Sequence, residues 1–244
     1  MSNETFADIL AIVWKERKSQ FRMRGSRMRF LMMLMSPILL ATILPITWGP
    51  DWLAQVPPLA IAAITSVILV AVMVPESIAG ERERHTLETL LASRLPDRAI
   101  LFGKLLVPLA VGWGVSMIAI LWSAVVVNLA HWEGEILFFT LPIALGSPAL
   151  SFLMALLTAG AGVFVSLKAA TAQEASQILT FAILIPPMLL QIVPMLFREQ
   201  MKHFLDTVNG IQLLAIVLAV LVLLDAIVLL AAVARFQRAR LILN

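Results

Sequence analysis

The chain has 244 residues, of which 61% are hydrophobic and 14% charged, with a formal net charge of +3. A mean hydropathy of +0.96 excludes a soluble globular domain. The absence of cysteine excludes disulfides, thiolate metal sites and cysteine nucleophiles.

Residues 1–29 are mostly polar, which argues against a cleavable signal at this end. Within them Phe6, Ile9, Leu10, Val13, Trp14 and Phe21 follow helical spacing, while Glu4, Asp8, Lys15, Glu16 and Lys18 take the other face. Thr5 and Asp8 have the spacing of a capping box. This pattern predicts an amphipathic helix lying along the membrane surface, apolar side down. It would serve either as a surface anchor or as a lever beside a cytosolic loop.

Six apolar runs follow, at 30–48, 57–74, 101–130, 137–167, 176–197 and 210–234. Each approaches or exceeds the ~20 residues a helix needs to cross a bilayer. They are continuously apolar and do not alternate with period two, so a β-barrel is excluded. Backbone groups in lipid must be paired internally, which leaves an all-α, polytopic bundle of six transmembrane helices. The third and fourth runs are longer than a crossing requires, and Pro108, Pro142 and Pro148 are expected to break or kink them. One reading of the fourth is a short external segment around 136–145, with the true span after Pro148. In the fifth run Pro186, Pro187 and Pro194 would interrupt backbone pairing and permit a bend. The expected organisation is one transmembrane unit: an interfacial segment 1–29, a bundle 30–234 and a cytosolic tail 235–244.

Charge sets the orientation. Of the 18 lysines and arginines, all but Arg198 and Lys202 fall in the N-terminal segment, the second and fourth connections or the tail. The positive-inside rule then places both termini in the cytosol. Trp48, Trp52 and Trp132 fall at the opposite boundary, where indoles prefer to lie. Basic residues flanking spans attract anionic headgroups, so the surplus of positive charge points to membrane lipids and not to nucleic acid.

The second connection is dense in ionisable residues, and Glu81-Arg82-Glu83-Arg84 alternates in sign. Leu87, Leu90 and Leu91 form an apolar ridge at i, i+3 and i+4. Thr86 is a helix start, Pro96 a stop, and Asp97 is expected to cap the third span. Such a short cytosolic helix would transmit displacement if a partner gripped it; the other reading is a solvated hairpin dipping its leucines into headgroups.

Other chemistry finds little support. No Gly-x-x-x-x-Gly-Lys-Ser/Thr phosphate loop occurs, so ATP hydrolysis would have to take place on another chain. His85, His131 and His203 all lie in connections and none forms a His-Glu-x-x-His motif. No cofactor or metal is implied. Asp225 alone among ionisable residues stands clearly inside a span. Such a residue either lines a translocation path or hydrogen-bonds a neighbouring span, here through Thr65, Ser66 or Ser116. A lone embedded acid also keeps open a rival reading, an ion-coupled secondary carrier.

Residues 76–96 (ESIAGERERHTLETLLASRLP) followed by 100–106 (ILFGKLL) resemble the signature of ABC-2 type permeases, the six-span membrane subunits of one class of ATP-binding-cassette transporter. The family's E-R-E-x-G-T-L-E-x-L-L is present with His85 at the glycine position. Looser matches are Val13-Trp14-Lys15-Glu16, Pro37 in the first span, and Ala175-Ser176-Gln177-Ile178 with Ile185-Pro186-Pro187 in the fifth. The resemblance implies a coupling helix between spans two and three that docks on a separate ATP-binding cassette ATPase subunit. Glu81, Glu83, Thr86, Leu87, Glu88 and Leu91 would contact or position that subunit, with a smaller contact around 168–177. It further implies a second permease subunit, identical or related, and a location in a bacterial or archaeal inner membrane.

Overall fold

A computed structural model of the chain describes residues 3–22, 24–86, 93–132, 134–190 and 209–236. Among these the secondary structure is helical, as the requirement for internally paired backbone dictates. The helices are α1 (Asn3–Arg22), α2 (Arg24–Trp48), α3 (Pro57–Glu83), α4 (Asp97–Ala130), α5 (Leu141–Lys168), α6 (Ala172–Leu190) and α7 (Gly210–Arg235), with a 3-10 turn at Gly49–Leu53 between α2 and α3. By length and hydropathy, α3, α4, α5 and α7 are each sufficient to cross a membrane.

α3 is the central element, flanked by α4, α5 and α6. Its Val67, Val70, Ala71 and Val74 are wholly excluded from the surface. Helices in lipid associate through close packing more than through a hydrophobic drive, so small residues mark their contacts. At Gly112 of α4 a Cβ would stand 2.7 Å from Val70 Cγ2, a separation only glycine tolerates. α5 and α7 run parallel: Gly146 meets Leu214, and Gly160 meets Val228.

The bundle has two distinct poles. At one, Trp52 is 1% exposed and its Nε1 donates to Ser123 Oγ at 3.1 Å. Around it pack Leu53 and Val127, with Leu44, Leu137 and Phe139 against them. Asn128 holds the approach to α5 by a reciprocal pair: its Oδ1 accepts from Leu137 N–H at 2.7 Å and its Nδ2 donates to Leu137 O at 2.9 Å. The Thr140 N–H closes the pole by donating to Leu53 O at 3.1 Å. At the other pole lie α1, the end of α3, the start of α4, the end of α5 and the start of α6.

Several sequence expectations change here. Of the external segment expected around 136–145, residues 136–140 are a non-helical strap whose Leu137 and Thr140 backbone groups bond Asn128 and Leu53, and the remainder is the first turn of α5. α5 then runs without a break from Leu141 through Pro148. Pro142 falls in its first turn, where no intrahelical amide is needed. Pro108 likewise sits within a continuous α4. A single proline frees one carbonyl, which packed neighbouring helices tolerate without ending the helix. Asp97 is not the cap of α4: Pro96 holds that position, and Asp97 is an acid in the first turn, where the helix dipole favours it. Pro194 lies outside the described residues.

Candidate functional site

The second pole is organised by one lysine. Lys104 stands two turns inside α4, on the face that also buries Ile100, Leu101 and Val107, and it is 0% exposed. Burying an ammonium group without partners is prohibitively unfavourable, so its surroundings must supply charge and acceptors. They come from two other helices. On α3, Ser77 and Glu81 are one turn apart: the Ser77 carbonyl accepts from Lys104 Nζ at 2.5 Å and Glu81 Oε2 pairs with it at 2.7 Å. On α1, Glu16, 3% exposed, presents Oε1 at 3.0 Å. Lys15 completes the set from α1, its Nζ 2.5 Å from Glu81 Oε1. Two ammonium groups thus face two carboxylates, and the cluster is neutral as a whole.

α1 is seated by the same face that carries Glu16. Ile9 and Ile12 are buried at 6% and 2% exposure, whereas Leu10 and Trp14 are half exposed. The apolar stripe predicted to lie on the membrane is therefore split: Ile9, joined by Ile12 from outside that stripe, docks on α4, while Leu10 and Trp14 face outward, with Lys18 Nζ 4.5 Å above the Trp14 ring. Docking depends on Gly103, where a Cβ would lie 2.6 Å from Ile12 Cβ. Beneath this seat Ile12 joins Val74, Ile78, Ile100, Leu105, Val163 and Phe236 in one apolar core.

The two residues after Glu81 reach other helices. Arg82 extends to the last turn of α5: Nη1 donates to Leu167 O at 3.1 Å and Nη2 to Ala169 O. A cation on these carbonyls satisfies acceptors that lack intrahelical donors and complements the negative end of the dipole. Glu83 does the reverse at the start of α6, its Oε1 accepting from Ala172 N–H at 2.6 Å. Three consecutive side chains at the end of α3 therefore hold α1 and α4, α5, and α6 in turn.

α3 ends in a defined C-cap. His85 has φ 54°, the His85 N–H donates to Arg82 O at 3.0 Å, and the Thr86 N–H reaches back to Glu81 O at 2.9 Å. This is the Schellman arrangement, in which the residue with positive φ is ordinarily glycine. Thr86 Oγ1 adds a bond to the same carbonyl at 3.2 Å. The glycine of the motif resembled by 76–96 thus has a physical reason, and this chain meets the same geometry with histidine.

Of the residues singled out from sequence, Glu81, Glu83 and Thr86 converge here. Leu87, Glu88 and Leu91 lie outside the described residues. Asp225 is elsewhere, on α7, 3% exposed, with neither carboxylate oxygen hydrogen-bonded among the described residues. Two of the three partners proposed for it are otherwise engaged: Ser66 Oγ donates to Ala63 O at 2.8 Å and Ser116 Oγ to Gly112 O at 2.9 Å. Sequence reasoning missed Lys104, counted there as a flanking charge, and Glu16, assigned to the polar face of α1. The available signal was the motif matches themselves: Lys15-Glu16, Glu81-Arg82-Glu83 and Gly103-Lys104 are the charged parts of three separate stretches.

A family model described as ABC-2 family transporter protein matches residues 52–228. The chain belongs to this family. No individually curated protein matches it. As an ABC-2 permease it is a membrane transport subunit of an ABC transporter, not itself catalytic. The matched region begins at buried Trp52 and ends in α7, so it covers Lys104, its pairing with Glu81, and the ties made by Arg82 and Glu83. α1, which supplies half of the charge cluster, precedes it.

Proposed function

We propose that this ABC-2 permease is one half of the translocation path of an ATP-driven exporter. It pairs with a second permease subunit, identical or related, and is powered by a separate ATP-binding cassette ATPase subunit. In this reading α2 and α6 complete a six-span bundle with α3, α4, α5 and α7. The charged pole faces the cytosol of a bacterial or archaeal inner membrane, in keeping with the asymmetry of lysine and arginine.

The observation that carries the reading is the convergence at the end of α3. The connection that follows it, residues 86–94, is anchored on one side by a tripeptide tied to four other helices. A partner that displaces this connection therefore displaces the ends of α1, α4, α5 and α6 together. Glu81, which is buried, and Glu83, which is exposed but spends its Oε1 on the Ala172 N–H, act by positioning. Thr86 closes the α3 cap, and Leu87, Glu88 and Leu91 are left to meet the ATPase. No bond chemistry is assigned to this chain.

The test is to purify the chain with the ATPase subunit that accompanies it, reconstitute the complex, and measure ATP hydrolysis with and without the permease. Leu87→Asp with Glu83→Ala should abolish the permease-dependent part. Asp225 supports a second reading, an ion-coupled carrier, because an embedded acid with no described hydrogen-bond partner has the character of an ion or proton site. That carrier would respond to an ion gradient with no ATPase present.

A further inference from the structure

We propose that Lys104 and Glu16 are positioning residues of the coupling machinery: with Lys15 and Glu81 they lock α1 to α3 and α4, so that α1 moves with the 86–94 connection as one body. The proposal rests on the ATP-coupled reading for its functional half only, because the lock itself is a property of this chain.

The argument starts from what a membrane-surface helix needs. An anchor is held by apolar burial and exposed cations, and neither calls for a buried carboxylate. α1 nevertheless turns Glu16 inward, to 3% exposure, while Trp14 on the same helix stays exposed. Lys104 is sealed in turn, with its Nζ shared among Glu16, Glu81 and the Ser77 carbonyl. α1 brings one ion of each sign, α3 the Glu81 carboxylate and α4 the Lys104 ammonium, so separating α3 or α4 strands an ion in a low-dielectric interior, and separating α1 takes Glu16 from Lys104 and Lys15 from Glu81 and unseals the pair that remains. Apolar packing between α1 and α4 would permit sliding in small steps. A neutral four-charge cluster has one good register and strongly disfavours the rest, which is what a part that must transmit motion without slippage requires. The close approach of Gly103 to Ile12 fixes the same register sterically, one turn away.

Glu81 belongs at once to this cluster and to the α3 cap, whose Thr86 N–H donates to its carbonyl. A shift of the 86–94 connection therefore acts on the backbone of the residue whose side chain grips Lys15 and Lys104. α1 is thereby part of the transmission and not a separate foot on the membrane.

The first measurement uses the permease alone. In Lys104→Met/Glu16→Gln the remaining Lys15–Glu81 pair is still neutral, so the fold is kept while the tie to α4 is lost. Amide hydrogen exchange over residues 9–19 should rise by roughly tenfold as α1 undocks, with α3 and α5 unchanged. Exchange as slow as in the parent chain overturns the lock. The second uses the complex with its ATPase subunit: the same variant should keep its yield and melting behaviour yet lose most permease-dependent ATP hydrolysis. Full retention shows that the cluster serves packing only and overturns the transmission role.

A second variant covers failure of the first to fold. The chain has no cysteine, so Ile12→Cys/Gly103→Cys creates a single pair, which joins α1 to α4 once its Cβ atoms, 2.6 Å apart on this backbone, spread by about 1 Å. If the two move as one body, oxidised and reduced forms of this variant hydrolyse ATP alike; inhibition on oxidation alone means that α1 must part from α4 and refutes the proposal. If no ATP hydrolysis depends on the parent chain at all, the ATP-coupled reading fails instead, and the exchange measurement still decides the lock.

Discussion

The two poles of this permease solve the same problem, joining helix ends across a short connection, by opposite means. At the tryptophan pole the ties are neutral: indole to hydroxyl, carboxamide to backbone, backbone to backbone. At the charged pole every tie involves an ion, those of Lys104 are buried, and all but the Lys104–Glu16 pair pass through three adjacent side chains of α3. A neutral hydrogen bond contributes about 1 kcal/mol net and can be lost singly. A buried ion is different, since removing its partner costs about 3–5 kcal/mol while replacing the whole pair by apolar groups costs little. One pole is therefore tolerant of local adjustment, and the other is all-or-none.

The sharpest way to break this comparison is Lys104→Met, which leaves Glu16 and part of Glu81 uncompensated. It should destabilise the folded chain by about 3–5 kcal/mol, the largest single effect expected, visible as a lowered melting temperature of the detergent-purified protein. Lys104→Met/Glu16→Gln should recover most of that loss, and a double variant no better than the single would show that burial of Lys104 matters for its packing and not for its charge. Gly103→Leu comes next. Its side chain must displace Ile12, an overpacking effect of about 1–3 kcal/mol. Because the clash is confined to the α1–α4 contact, limited proteolysis should release the N-terminal segment while the rest of the bundle stays protected. At the neutral pole Trp52→Phe deletes the donor to Ser123, at a cost of about 1 kcal/mol, and leaves a small cavity at a buried site, at a cost of about 1 kcal/mol more; Ser123 Oγ still donates to Ile120 O at 2.7 Å, so no buried hydroxyl is stranded. A Trp52→Phe effect as large as that of Lys104→Met would erase the contrast between the poles.

How far the sequence reveals this arrangement differs by element. The spans are legible because hydrocarbon thickness imposes length and apolarity directly, and α3, α4, α5 and α7 overlap predicted runs with ends within about one turn, except that α3 runs on from Val74 to Glu83. The extension of α3 to Glu83 and of α4 back to Asp97 is less so, since a helix leaving the membrane carries charge and reads as loop. Lys104 is the plainest case. In sequence it is one more cation near a span boundary; its burial is visible only when α1, distant in the chain, is laid over Gly103. The strap at 136–140 was hidden for a related reason, because Asn128 holds it with side-chain bonds that leave no periodic trace. Asp225 was found at once as an embedded acid, but the bonding expected of it, to Thr65, Ser66 or Ser116, depended on which face of α7 meets which helix, and α7 packs chiefly on α5.

The smallest expected effect has the opposite sign and concerns the hinge between the charged pole and its connection. His85 adopts φ 54° at the position where a Schellman cap calls for glycine. For a residue with a Cβ the left-handed region is disfavoured by about 1–2 kcal/mol, and glycine escapes this but gives back part through the greater freedom of its unfolded chain. His85→Gly should therefore stabilise the chain by a few tenths to about 1 kcal/mol, read as a small rise in melting temperature. His85→Ala keeps the Cβ and serves as the control, with no rise. Since the cap also fixes Thr86 against the Glu81 carbonyl, the gain in His85→Gly should appear as slower amide exchange at Thr86 and not at the neutral pole. A uniform change across both poles would mean that the strain at His85 is not local, and that the end of α3 is less independent of the tryptophan pole than their separate bonding suggests.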